Sequence, residues 1–217
     1  MRYTKEDIRN AMQLYAVTDS SWLNGRTLPM VVEEAIRGGA SFIQLREKNL
    51  SKDAMLALAV EVKKITDRYR IPYVINDDVE IAKRVDADGV HIGQQDTALT
   101  EARKILGPDK IIGVSAHTVE EALTAEKNGA DYLGIGAVFG TSTKQDAGAL
   151  PMETLRAICN AVAIPVVAIG GINAGNLLQL KGTGIDGVAV VSAIFAAENV
   201  GKAAEELKGM TAAFGTR

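Results

Sequence analysis

Cysteine, histidine and aromatic side chains are all scarce in this chain of 217 residues. Its one cysteine, Cys159, has no intramolecular disulfide partner and falls in 155–162, where apolar residues recur at helical spacing, so it reads as core filler. Only two histidines are present, His91 and His117, and the sequence shows neither a Cys/His metal motif nor a Ser/His/Asp spacing. Aromatic residues make up 5% of the chain, which leaves few platforms for stacking nucleic-acid bases. The net charge of −3, from 24 basic against 27 acidic residues, excludes a broad nucleic-acid surface but leaves room for a local anion site. The longest mostly apolar run, 161–172, is broken by Pro165 and falls short of the ~18 residues that a membrane span needs. The charged start, 1–7, lacks the apolar stretch of a secretory signal, and a cytoplasmic location is expected.

Apolar residues at 47% and charged residues at 24% are ordinary for a globular protein, and the length favours one domain over 1–217. Eight short β-rich runs stand out: 14–17, 42–45, 73–75, 89–92, 111–114, 132–135, 166–169 and 188–191. Longer amphipathic stretches separate them. In 51–69, Met55, Leu58, Val62, Ile65 and Tyr69 follow steps of three and four, while Glu61, Lys63, Lys64 and Asp67 fall elsewhere on the wheel. Thr118-Val-Glu-Glu121 has capping-box spacing, and Pro151 suits a first helical turn. A stop-and-turn signal recurs before strands as Gly38-Gly-Ala-Ser41, Asp86-Ala-Asp-Gly89, Gly129-Ala-Asp131 and Gly184-Ile-Asp-Gly187. Eight βα units in little over 200 residues predict an α/β fold, a single (β/α)8 TIM barrel near the short end of its range. An open doubly wound sheet is the alternative, disfavoured because Thr18-Asp-Ser-Ser-Trp22 after the first strand carries no dinucleotide glycine motif.

In such a barrel, ligands gather at the C-terminal ends of the strands, and the residues there are polar. After strand two, alternation puts Gln44, Arg46 and, if the strand continues, Lys48 on one side, a cationic edge suited to phosphate or diphosphate oxygens; a rim ion-pair cluster with Glu47 is the alternative. Strand three ends in Asn76-Asp77-Asp78 and strand four leads to Asp96. These carboxylates fit Mg²⁺ beside a diphosphate, yet Asp77 or Asp78 would equally cap a helix from Val79, and Asp96 one over 97–106. The stretch 139–148 after strand six reads as a mobile lid, with Thr141 and Thr143 as oxygen binders and Lys144 as a cation for a leaving diphosphate, or else as a solvated loop. Gly170-Gly171, with Asn173 placed to cap a helix, and Val191-Ser192-Ala193 predict a second anion site built from backbone N–H groups. His91 and His117 sit at strand ends, where acid–base work and simple packing or capping both remain open.

Across nearly the whole chain the sequence resembles the thiamine-phosphate synthase family, through Tyr15-Ala-Val-Thr-Asp19, Gln44-Leu-Arg-Glu-Lys48, Asn76-Asp77, Gly89-Val-His-Ile-Gly-Gln-Gln-Asp96, Gly113-Val-Ser-Ala-His-Thr118, Gly136-Ala-Val-Phe-Gly-Thr-Ser-Thr-Lys144, Ala168-Ile-Gly-Gly-Ile172 and Val190-Val-Ser-Ala193. The resemblance implies a (β/α)8 barrel that joins 4-amino-2-methyl-5-hydroxymethylpyrimidine diphosphate to 4-methyl-5-(2-hydroxyethyl)thiazole phosphate, or its carboxylated form, with release of diphosphate. By the same resemblance Gln44, Arg46, Lys48 and Asn76 bind the pyrimidine diphosphate, Asp77 and Asp96 hold one Mg²⁺ per subunit, and Ser115 meets the pyrimidine. Thr141 and Thr143 would contact the thiazole, Lys144 the diphosphate, and Gly171, Val191 and Ser192 the thiazole phosphate. Arg46, Lys48 and Lys144 are the expected catalytic set. The expected partners are these small molecules, without nucleic acid or membrane, and a homo-oligomer is left open. A thiazole tautomerase-like paralogue and a non-catalytic thiazole-phosphate regulator are the rival functions; a phosphosugar isomerase is disfavoured because it calls for a clear acid–base pair.

Overall fold

A computed structural model describes residues 3–94, 98–140 and 149–214. The eight expected strands all form: β1 (Leu14–Val17), β2 (Phe42–Leu45), β3 (Tyr73–Asn76), β4 (Gly89–Ile92), β5 (Ile111–Ala116), β6 (Tyr132–Gly136), β7 (Val166–Ile169) and β8 (Gly187–Val190). They close in chain order into a parallel barrel, with β1 paired to β8. The strand β5 runs two residues past its expected end, which takes Ser115 into the sheet. Helices α1 (Lys5–Ala11), α2 (Leu28–Arg37), α3 (Lys52–Tyr69), α4 (Val79–Arg84), α5 (Leu99–Leu106), α6 (Val119–Lys127), α7 (Met152–Ala161), α8 (Ser192–Phe195) and α9 (Val200–Thr211) complete the described elements together with short 3₁₀ turns. One of those turns, Leu177–Leu180, takes the place of an α-helix between β7 and β8.

Strand alternation divides the core in two. Outward residues such as Ile43, Leu45, Ile75, Ile112, Leu133 and Val188 pack beneath the helices, where Cys159 is also buried. Inward residues Tyr15, Phe42, Val74, Ile111, Tyr132 and Val167 fill the barrel together with Ile8 of α1 and Met12, which caps its C-terminal end. The rings of Tyr15 and Phe42 lie 4.4 Å apart, and Phe42 and Tyr132 meet edge-on at 5.5 Å, so aromatic packing makes a solid floor.

Local chemistry explains the helix ends. Ser51 caps α3, accepting from the Ala54 N–H, and Met55, Val62 and Ile65 turn inward. Lys63, expected on the outer face, is buried instead: its methylene stem lies against the core and its Nζ donates to Asp67 one turn on, at 2.6 Å. Thr118 caps α6 as its spacing predicts, but the Glu121 carboxylate reaches past it to accept from the His117 N–H at 2.7 Å. Pro151 occupies the cap position of α7, one residue before the first turn.

The recurring Gly-Ala-Asp signal does more than stop helices. Asp88, which leads into β4, donates its N–H to the Tyr73 carbonyl and accepts the Tyr73 N–H on its carboxylate, at 2.9 and 3.0 Å. Asp131 brackets Ile112 in the same way at 2.8 and 2.8 Å, and Asp186 brackets Val166 at 2.8 and 2.8 Å. Ser41 does this for Leu14, with its hydroxyl in place of a carboxylate. Every even-numbered strand is thus tied at its entry to the start of the odd-numbered strand before it, at the first residue of β1, β3 and β7 and the second of β5. Arg9 of α1 donates to the Asp186 carboxylate and Arg103 of α5 to that of Asp131, so helices are fixed to the same rim.

Replacing Asp186 by Ala strands the buried Val166 N–H and the Arg9 guanidinium. We expect a loss of about 2 kcal/mol, a fall in Tm of roughly 4–8 °C. Asp186→Asn, which keeps an acceptor for that N–H, should lose less than half as much; equal losses in thermal melts would show that the hydrogen bond carries none of the stabilisation.

Candidate active site

The strands end in a cavity at the C-terminal face of the barrel, lined at inward positions by Gln44 of β2, Arg46 immediately after it, Asn76 of β3, His91 of β4 and Ser115 of β5. Gly171, Val191 and Ser192 line the opposite side, and His117 closes the rim. Seven of the expected binding residues therefore share one cavity. Asp96, Thr141, Thr143 and Lys144 lie outside the described residues, and so does most of the stretch read as a lid.

Arg46 is aimed by its backbone. Its N–H donates to the Thr18 hydroxyl at 2.9 Å, and Thr18 in turn donates to Glu47 at 2.8 Å. Glu47 also accepts from the Ser20 N–H at 3.1 Å, so it braces the loop after β1 and forms no ion-pair cluster with Arg46 or Lys48. Among the described residues neither of these cations has a carboxylate partner, which leaves positive charge at the mouth for an anionic ligand. The strand does not continue to Lys48: β2 stops at Leu45, and Lys48 is exposed in the following bend rather than in the cavity lining.

The two adjacent carboxylates separate in role. Asp78 is the cap, accepting from the Ile81 N–H at 2.8 Å. Asp77 is held at φ 63°, a left-handed conformation that Asp tolerates better than most residues, with its N–H on the His91 carbonyl and its exposed carboxylate accepting from Asn76 at 2.6 Å. It stands beside the cavity rather than in its lining. The helix expected over 97–106 is α5, which starts at Leu99 with Ala98 in the cap position.

Across the cavity, Gly170 and Gly171 take φ values of 104° and 66°, and a Cβ on Gly171 would come within 2.4 Å of the Gly140 carbonyl oxygen. The N–H groups of Gly171, Ser192 and Ala193 have no protein acceptor among the described residues, leaving donors for an anion. Asn173 does not cap a helix. Its side chain accepts from the Gly175 N–H at 2.9 Å in an Asx turn, because the chain passes into a 3₁₀ turn here.

Sequence reasoning assigned no role to Tyr15, which lines the cavity floor, or to Tyr132, which lies beneath it. Burial pushes both phenols above their ordinary pKa, so both stay protonated. Their signal was available in the alternation that places them inward on β1 and β6.

The model for the family described as thiamine monophosphate synthase matches residues 14–194. A thiamine-phosphate synthase from Clostridium tetani is 56% identical over 196 residues, covering 90% of this chain and 94% of that protein. One from Clostridioides difficile is 48% identical over 202 residues, covering 93% and 96%. The structure of a thiamine phosphate pyrophosphorylase from Pyrococcus furiosus superposes with a TM-score of 0.87 at 43% identity, covering 94% of this chain and 98% of that one.

The unpaired cation at the mouth generates a prediction independent of these likenesses. Inorganic diphosphate should bind, and Arg46→Ala should weaken it by about tenfold or more in calorimetric titration while leaving the unliganded Tm within roughly 1 °C, since charge-assisted contacts of this kind contribute about 1.5–3 kcal/mol.

Proposed function

The chain belongs to the thiamine monophosphate synthase family and is a transferase, and from that premise we propose how its own residues join a pyrimidine diphosphate to a thiazole phosphate. The observation that supports this reading is one cavity with Arg46 on one side and backbone N–H groups on the other, neither with a protein partner for its charge or hydrogen among the described residues, two anion sites for two phosphorylated substrates. Gln44, Asn76 and Ser115 hold the pyrimidine portion, Arg46 and Lys48 its diphosphate, and Gly171, Val191 and Ser192 the phosphate of the thiazole. Thr141 and Thr143 contact the thiazole, and Lys144 meets the leaving diphosphate.

The chemistry is dissociative substitution. The bond from the pyrimidine methylene carbon to diphosphate oxygen breaks, with its electron pair leaving on diphosphate, where Arg46, Lys48 and Lys144 stabilise the charge. The aminopyrimidine delocalises the resulting cation. The lone pair of the thiazole ring nitrogen then forms the new carbon–nitrogen bond, so no side chain has to remove a proton and neither His91 nor His117 needs to act as a base.

Asp77, an exposed carboxylate at the mouth, fits a hard cation, and with Asp96 and the diphosphate oxygens it would supply donors of the kind Mg²⁺ uses. Bound there, Mg²⁺ would supply neutralising charge to the diphosphate. We assign the whole chain to one barrel domain and to the cytoplasm, in keeping with small-molecule substrates; no described helix is long and apolar enough to cross a membrane.

The test mixes protein with both substrates, with Mg²⁺ or with EDTA, and reads thiamine phosphate as fluorescent thiochrome. Product should depend on Mg²⁺, and Asp77→Ala and Arg46→Ala should each lower kcat/KM by about a hundredfold. Folded protein that binds thiazole phosphate yet makes no product would refute the reading. In single turnover, Lys144→Ala at wild-type rate, with Lys48→Ala impaired, would remove Lys144 from the catalytic set.

A further inference from the structure

At the floor of the cavity, five side chains from five strands form one hydrogen-bonded chain, of which only Tyr132 lies wholly beneath the lining. Gln44 Nε2 donates to the Tyr15 hydroxyl at 2.6 Å, the Tyr15 and Tyr132 hydroxyls lie 2.8 Å apart, Tyr132 meets His91 Nδ1 at 2.9 Å, and His91 Nε2 meets the Ser115 hydroxyl at 3.0 Å. Space has been cleared for it. A Cβ on Gly113 would fall 2.0 Å from the Tyr132 ring, and one on Gly134 would lie 3.0 Å from the His91 ring. The tyrosines are wholly buried and His91 nearly so, so these groups have to satisfy one another.

Counting protons fixes the direction of every link. Each phenol has one hydrogen to give. Since Tyr15 accepts from Gln44, its own hydrogen goes to the Tyr132 oxygen, and that of Tyr132 goes to His91. Nδ1 must then be the unprotonated nitrogen, and Nε2–H donates to Ser115. The Ser115 hydrogen is left for the cavity. At the other end Gln44, with its amide nitrogen turned to Tyr15, keeps its carbonyl oxygen without a protein donor among the described residues.

We infer that Tyr15, Tyr132 and His91 are positioning residues that lock Ser115 as a donor and Gln44 as an acceptor, and so select a 4-aminopyrimidine over its 4-oxo counterpart. The inference rests on the function proposed above and deepens it. An aminopyrimidine offers an amino donor and an unprotonated ring nitrogen; the 4-oxo form offers a carbonyl and a ring N–H, reversing both. Presenting a donor to the 4-oxo group would require the Gln44 amide to turn, and with it the Tyr15 and Tyr132 hydrogens and the His91 tautomer.

Histidine-selective ¹⁵N labelling, with His117→Gln to assign the two rings, reads the chain directly. His91 in the wild-type chain should show an unprotonated Nδ1 and a protonated Nε2, and Tyr132→Phe should convert this to a mixture of tautomers. The same variant should lower the kcat/KM preference for the 4-amino over the 4-oxo pyrimidine diphosphate by at least about tenfold, an effect that loss of packing alone would not produce. Tyr15→Phe, which cuts the chain at another link, provides the same readout should Tyr132→Phe fail to fold. A protonated Nδ1 in the wild-type chain, or an unchanged preference in a folded variant, overturns the inference. Absence of coupled product, thiamine phosphate from the 4-amino diphosphate or its 4-oxo analogue from the other, refutes the proposed function instead, and the ring state alone then decides whether the chain has the stated direction.

Discussion

The two-point bracket at the entry of each even-numbered strand fixes the height of that strand against the one before it. Asp88, Asp131 and Asp186 each satisfy both backbone groups of the residue they face, and Ser41 does the same with a hydroxyl. In a parallel sheet a slip of one residue would turn every side chain to the opposite face. The inward course of Gln44, His91 and Ser115 therefore depends on contacts made at the other end of the strands. The aromatic floor and α1 use the same registration, since Tyr15, Phe42 and Tyr132 meet only if their strands stand at matching heights.

Much of this was legible in the amino-acid sequence because it is carried by local periodicity. Eight β-rich runs separated by amphipathic stretches prescribe eight βα units, and alternation places Gln44 and Arg46 on one side. Capping spacing located the start of α6 to the residue. Less legible were features that depend on distant partners. Lys63 is buried because its groove and Asp67 accept it, and a helical wheel shows only half of that arrangement. The division of Asp77 and Asp78 between the mouth and the helix cap follows from a single backbone turn, which residue type alone leaves undecided.

The site joins two ways of presenting positive potential. At the mouth, Arg46 is a full charge whose backbone is braced through Thr18 and Glu47. Opposite, Gly170 and Gly171 make a bend in which N–H groups offer partial charge without side-chain bulk. Formal charges suit a group that must gain negative charge and depart, whereas amides suit one that only has to be held. Beneath both lies a neutral hydrogen-bonded chain, which gives direction without adding charge.

The brackets and the ligand-facing residues occupy opposite rims, separated by strands of four to six residues that rise about 3.3 Å per residue, or roughly 13–20 Å. Substitutions that far apart combine nearly additively. The barrel can accordingly accumulate change along its lower rim, adapting to a hotter or colder setting, while the upper rim drifts in ligand preference on a separate course. So long as the brackets hold the strands in register, the two rims can vary separately, and the separation comes from the length of a strand.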